Sequence, residues 1–172
     1  MYLELDKIWY DVYASIIIMR KSARIVGDYR YLLSRKWDAS KPKITFVMLN
    51  PSTADAKQDD RTLRKCIHFA KSLGYGSLQV VNLFAYRATK PRELRKVTDP
   101  VGPKNNFYIQ LATRRTSLII VAWGTHGGFQ GRDKVVQNLI SSKQTLYCLG
   151  VTKYGYPRHP LYLKKNTKPI IF

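Results

Sequence analysis

Four apolar runs predict buried strands at residues 43–49, 77–82, 117–122 and 145–149 of this 172-residue chain. Runs without alternating polar positions are typical of central parallel strands, which are covered on both faces. Between the runs we expect helices at 60–70, 105–116 and 132–141. Asp59 or Asp60 is the expected N-cap of the first helix, and Gly74 its stop. Alternating strands and helices predict a three-layer α/β/α sandwich with a mainly parallel four-stranded central sheet.

An N-terminal β-hairpin is expected before these strands. Residues 12–19 are β-branched and apolar, residues 28–37 alternate between apolar and polar, and Gly27 lies between the two segments. A long loop over 83–101 contains a short helical turn at 92–96, and an irregular basic tail follows Gly150. The chain has neither a repeat nor a convincing linker, so we expect one domain over residues 1–172.

Composition excludes several classes of protein. Apolar residues make up 45% of the chain, as in globular proteins, but no apolar run approaches the roughly 20 residues that span a bilayer. The N-terminal apolar run is too short and too far inside to be a signal peptide, so a cytoplasmic protein is expected. Cys66 and Cys148 are too few for a disulfide scaffold, a four-cysteine zinc site or an iron–sulfur cluster. We expect two free thiols and no metal.

The charge of the chain indicates a polyanionic partner. Thirty Lys and Arg residues oppose eleven Asp and Glu residues, which gives a net charge of +19. Binding phosphates with such residues releases condensed counterions. The basic residues are spread along the chain, which favours a basic face on a folded domain over a disordered arm. The alternatives are charge that serves solubility alone and an anionic membrane, although no basic amphipathic helix is evident.

Polar residues occur where three apolar segments meet loops. Asn50 follows the first predicted strand, Asn82 ends the second, and His159 lies in the C-terminal segment PRHPLYL. In open α/β sheets, ligands bind beyond the carboxyl ends of the strands. Two carboxamides and an imidazole in a basic protein therefore predict a pocket that recognises a nucleobase.

These segments resemble, in order, the motifs of the uracil-DNA glycosylase superfamily. The motif residues are MLNPS at 48–52, the strand ending VVN at 80–82, VAWG at 121–124, and HPLYL at 159–163. The chain is also similar to an uncharacterised bacterial and phage family with the patterns MLNPSTAD, VVNLFAYRAT, DPVGP and PRHPLYL. The superfamily resemblance implies a glycosylase-like core over residues 41–165, with residues 1–40 as a hairpin extension. It also implies a monomer that acts on double-stranded or single-stranded DNA without a cofactor.

The resemblance assigns a role to each motif residue. Asn50 would hold the attacking water, and His159 would stabilise charge on the departing base. Asn82 offers the donor and acceptor that suit the N3–H and O4 edge of a uracil-like base, and small Ser52 would leave room at C5. Phe84 or Tyr86 would stack on the base, and Leu163 would be the apolar wedge that fills the vacated base stack. The cations that would contact phosphates are Arg87, Lys153, Arg158, Lys164 and Lys165.

Two departures from the motifs keep other functions open. Met48 replaces a glycine, and Leu161 replaces a serine that contacts a phosphate. The same pocket would also suit an enzyme that modifies a base without excising it, or a non-catalytic DNA-binding base sensor. Asn-Pro after a strand is also a common turn, and Asn82 could simply cap a loop. Three acidic residues, Asp55, Asp59 and Asp60, fit helix capping better than a divalent-metal site.

Overall fold

The structure is a computed structural model that describes residues 19–141 and 144–172. Its strands are β1 (Arg20–Val26), β2 (Tyr29–Lys36), β3 (Lys43–Met48), β4 (Ser77–Asn82), β5 (Leu118–Val121), β6 (Tyr147–Cys148) and β7 (Ile170–Ile171). Its α-helices are α1 (Arg61–Ser72), α2 (Asn105–Arg114) and α3 (Arg132–Ser141), and 3-10 turns cover Pro91–Lys96, Thr125–Gly131 and Pro160–Tyr162.

All seven strands form one mixed sheet in the order β1-β2-β4-β3-β5-β6-β7. The four inner strands β4, β3, β5 and β6 pair in parallel, whereas β1, β2 and β7 pair antiparallel. The α/β class is therefore confirmed, but the sheet is larger than the predicted four-stranded one, because the two hairpin strands and β7 also belong to it. The hairpin extends this sheet because Leu33 of β2 pairs with Val80 of β4.

The hairpin begins later than the sequence pattern indicated. Its strands are β1 and β2, joined at Gly27, which has a φ of +54°. The predicted first strand, 12–19, reaches the described residues at Met19 only, and Met19 lies outside β1. The remainder of that prediction lies outside the described residues.

Both faces of the sheet are covered by apolar side chains. Phe46 belongs to a core cluster with Leu63 and Phe69 of α1, and the next residue, Val47, belongs to a second cluster with residues of α2 and α3. Successive side chains of a strand point to opposite faces, so α1 lies on one face and α2 and α3 on the other. No helix among the described residues is long and apolar enough to cross a membrane.

The loop after β3 is anchored to β2 and leads into α1. Arg35, which is fully buried, donates to Asp59 Oδ1 at 2.8 Å and to the Asp55 carbonyl at 2.6 Å. Asp60 is the N-cap of α1, and its Oδ1 accepts from the Leu63 N–H at 2.7 Å. The helix stops before Gly74, at φ +85°. Both cap predictions are confirmed, and the contacts of Arg35 hold the segment before α1 against β2.

Candidate functional site

A cavity of about 550 Å³ lies beyond the carboxyl ends of β3, β4 and β5. Asn50 follows β3, Asn82 ends β4 and Trp123 follows β5, and all three line the cavity. These strands are parallel neighbours, so their carboxyl ends share one edge of the sheet. His159 reaches the same cavity from the C-terminal segment. The three polar side chains that the sequence placed together, Asn50, Asn82 and His159, thus share one cavity.

Asn82 is the most unusual of these side chains. It is 1% exposed, and neither Nδ2 nor Oδ1 has a hydrogen-bond partner among the described residues. Its backbone carbonyl, in contrast, accepts from Asn105 Nδ2 at 3.0 Å. A buried polar group without a partner costs about 1–3 kcal/mol. The Asn82 carboxamide therefore leaves one donor group and one acceptor available to a bound molecule.

Asn50 is held with its acceptor atom available. Its Nδ2 donates to the Pro51 carbonyl at 3.0 Å and to the Ala88 carbonyl at 2.7 Å. Both protons of the amide nitrogen are thus used, so Oδ1 can accept a hydrogen bond from a ligand or a water. Ser52, two residues further along the loop, is half-buried and also lines the cavity.

His159 presents a hydrogen-bond donor. It caps the 3-10 turn at Pro160–Tyr162, and its Nδ1 accepts from the Leu161 N–H at 3.3 Å. An accepting Nδ1 places the proton of a neutral imidazole on Nε2. Burial lowers the pKa of His159, and the negative charge of Asp60 partly opposes this shift. The ring is therefore neutral at pH 7 and can donate from Nε2.

Sequence reasoning missed Arg30, Trp123 and Asp60 among the other polar residues of the cavity. Arg30 of β2 is 4% exposed, donates to the Ala54 carbonyl at 2.7 Å, and has no partner for its Nε in the described structure. Burial lowers the pKa of Arg30 to about 10, which leaves it charged at pH 7. Trp123 Nε1 is buried and equally unpartnered within the described ranges, and Asp60 supplies a carboxylate. No sequence motif pointed to Arg30. Trp123 follows the end of β5 and Asp60 caps a helix, and these positions could have indicated both residues.

Three residues assigned to base stacking or wedging do not line the cavity. Phe84 is fully buried, and its ring lies 5.5 Å from that of Phe129. Tyr86 packs against the same core cluster and meets Tyr29 edge-on at 6.1 Å. Leu163 is 7% exposed because it packs in the cluster that contains α1, so it does not protrude as a wedge. Its neighbour Tyr162 is 77% exposed and lines the cavity.

The cations assigned to phosphates are mostly at the surface. Lys153, Arg158, Lys164 and Lys165 are exposed, and Arg87 is half-buried with its Nε lacking a partner among the described residues. The exposed four lie in a segment whose residues Thr152, Leu161 and Tyr162 line the cavity. The structure thus puts an exposed basic segment at the cavity.

Carboxylates near the cavity have local structural partners. Asp55 accepts from the Lys57 and Gln58 N–H groups, Asp59 pairs with Arg35 and Lys21, and Asp60 caps α1. Within the described residues, no group of three His, Cys, Asp or Glu side chains is arranged to hold a metal ion. Cys66 and Cys148 are both buried free thiols.

Comparison with known proteins gives one match. The model of a family described as "Protein of unknown function (DUF1643)" matches residues 30–161, a range that begins at Arg30 and contains β3, α1, β4 and His159. No curated protein and no solved structure matches the chain.

Proposed function

We propose that this chain, which belongs to the DUF1643 family, is a DNA glycosylase-like enzyme that binds an extruded pyrimidine and hydrolyses its N-glycosidic bond. One observation carries the proposal: the buried Asn82 carboxamide has no partner among the described residues and lines a cavity shared with Asn50 and His159. An amide in this state is a preformed site for a flat ligand with one donor and one acceptor on the same edge.

A pyrimidine matches this cavity in size and in hydrogen bonding. The volume of about 550 Å³ lies within the range of small-molecule pockets, about 300–1,000 Å³. The Asn82 Oδ1 would accept from N3–H, and Nδ2 would donate to O4. Half-buried Ser52 is small enough to leave room for a substituent at C5. The proposed substrates are therefore uracil-like and 5-modified pyrimidines.

The two remaining groups suit bond cleavage. Breaking the N-glycosidic bond leaves negative charge on the base, and a fixed donor aimed at that charge lowers the barrier. His159 supplies such a donor from Nε2, since its Nδ1 is held by the Leu161 N–H. The free Oδ1 of Asn50 would orient the attacking water, because the Pro51 and Ala88 carbonyls immobilise the amide.

Further support comes from the fold and the charge. The first three motif segments end parallel strands, the HPLYL segment follows them as in the glycosylase superfamily, and helices cover both faces of the sheet. We therefore also propose that the helices and the four parallel strands are layered as in the glycosylases. DNA is the proposed partner because the net charge is +19 and an exposed basic segment borders the cavity.

The burial of Leu163 favours a second candidate function. A protein without a protruding apolar wedge could hold a base in the cavity and modify it without excision. Such an enzyme would leave the glycosidic bond intact, so its DNA products would gain or lose mass on the base. Excision would instead leave an abasic site.

One experiment separates these functions. The protein is incubated with oligonucleotides that carry uracil, mismatched thymine, hydroxymethyluracil or other 5-modified pyrimidines, followed by alkali treatment and mass analysis. We expect abasic products with the wild type, none with Asn82→Leu, and wild-type yields with Asn138→Leu, the same change on the exposed side of α3. A changed base on an intact strand would support the second candidate. Unaltered DNA with every substrate would reject both.

A further inference from the structure

The proposed hydrolysis needs a group that accepts a proton from the attacking water. Asn50 can orient the water through Oδ1, but a carboxamide is not a base at neutral pH. His159 is not available either, because its Nδ1 accepts from the Leu161 N–H and its Nε2 then carries the proton. The two residues that sequence motifs assign to the reaction therefore leave the water proton without an acceptor.

Asp60 is the one carboxylate among the described residues that line the cavity. Its side chain is fixed by a structural role, since Oδ1 accepts from the Leu63 N–H at 2.7 Å as the cap of α1. Within the described ranges this is the one hydrogen bond that the carboxylate accepts, so Oδ2 is available. Its negative charge also acts on Arg30 and His159 of the same cavity, where it opposes the lowering of each pKa by burial.

We infer that Asp60 is a catalytic residue, the general base that takes the proton of the water held by Asn50. This inference rests on the proposed glycosylase function. In the step, the C1′–N1 bond breaks and its electron pair stays on the base, where His159 Nε2–H donates to the charged oxygen. The water oxygen bonds to C1′, and one of its protons moves to Asp60. Atoms and charge balance without a further reactant.

The position of Asp60 explains how one carboxylate can serve both purposes. An N-cap needs one side-chain oxygen for the helix, and a carboxylate has two. The loop that ends at Asp60 is anchored to β2 at two points, by Arg30 at Ala54 and by Arg35 at Asp59. The helix thus holds the Asp60 carboxylate in place, as a proton acceptor in a hydrolytic site requires.

Asp60→Asn tests the inference with little risk to folding, because asparagine is as good an N-cap as aspartate. We expect the single-turnover cleavage rate to fall by about 10²-fold to 10⁴-fold, the usual contribution of a general base. Affinity for the same oligonucleotide and the midpoint of thermal unfolding should stay near wild type. Asp55→Asn, in the same loop but outside the cavity lining, should cleave at the wild-type rate.

The outcomes distinguish this inference from the proposed function. If the wild type excises a nucleobase and Asp60→Asn does so at a similar rate, Asp60 is not the general base, and the glycosylase proposal stands. If Asp60→Asn loses binding or stability together with activity, the role of Asp60 is structural and the inference fails. If the wild type excises no base from any of the substrates above, the proposed function fails, and the inference fails with it.

Discussion

Replacing Asn82 with leucine should make the protein more stable and at the same time inactive. The Asn82 side chain is 1% exposed, and its two polar atoms lack partners among the described residues. Leucine has a similar shape without polar atoms, and the adjoining cavity has room for its additional volume. The change removes the cost of two buried polar atoms and adds apolar burial.

The size of the effect follows from these terms. Each unpartnered group costs about 1–3 kcal/mol when fully dry, and less where the adjoining cavity admits water. We therefore expect Asn82→Leu to raise the free energy of unfolding by about 1–3 kcal/mol. For a chain of this length, 1 kcal/mol corresponds to about 2–4 °C in Tm. The expected rise in Tm is therefore about 2–12 °C.

Asn105 provides a matched control within the same hydrogen-bond network. It is fully buried, and its Nδ2 donates to the carbonyls of Asn82 and Leu83 at 3.0 and 2.8 Å. Asn105→Leu breaks both bonds and should lower Tm. Thermal unfolding followed by circular dichroism measures both variants. A fall in Tm for Asn82→Leu as large as that for Asn105→Leu would show that Asn82 is a structural residue and refute its assignment as a ligand-binding group.

Two further predictions concern the C-terminal segment. Burial holds the pKa of His159 below its ordinary value of 6.5, so the unfolded chain binds the proton first and stability should fall as pH drops below 6.5. Urea unfolding at pH 8 and pH 5 should show a smaller difference in the free energy of unfolding for His159→Gln than for wild type. An equal difference for the two proteins would contradict the placing of His159 as a buried, neutral imidazole. Tyr162 is 77% exposed at the cavity, so Tyr162→Ala should weaken base extrusion, which 2-aminopurine fluorescence in DNA measures. The free energy of unfolding should stay within about 0.5 kcal/mol of wild type. Tyr162→Phe, which keeps the ring, should extrude the base normally, and the prediction fails if the alanine variant does so too.

The inner strands and their helices could be predicted because their pattern is local. β3 and β4 lie in apolar runs that lead to polar residues, Asn50 and Asn82, and α3 has the predicted bounds, Arg132–Ser141. The edge strands could not be predicted in this way. β1 has the sequence RKSARIV and is mostly exposed, since an edge strand needs no apolar face and often carries charges. Two-residue β7 is exposed and has no pattern at all.

The burial of Leu163 depends on a contact between distant parts of the chain. The sequence places it one residue after Tyr162, both are large, and both follow the HP pair of the last motif. The short 3-10 turn at Pro160–Tyr162 packs on α1, and this packing decides which of the two side chains enters the core. A motif fixes the order of residues along the chain but not the side of a turn that each residue occupies.

The charged groups of the cavity show which part of the site follows from topology. A helix that follows a parallel strand begins at the carboxyl edge of the sheet, so the N-cap Asp60 could have been placed at the cavity from the sequence. Arg30 could not, because its position depends on the direction of β2. β2 runs antiparallel to β4 with Leu33 opposite Val80, so moving back from Leu33 to Arg30 leads toward the carboxyl end of β4. A β2 that ran parallel to β4 would have put Arg30 near the start of β4, far from Asn82. The cation of the cavity is therefore a consequence of the hairpin's joining the main sheet, and the hairpin is part of the site.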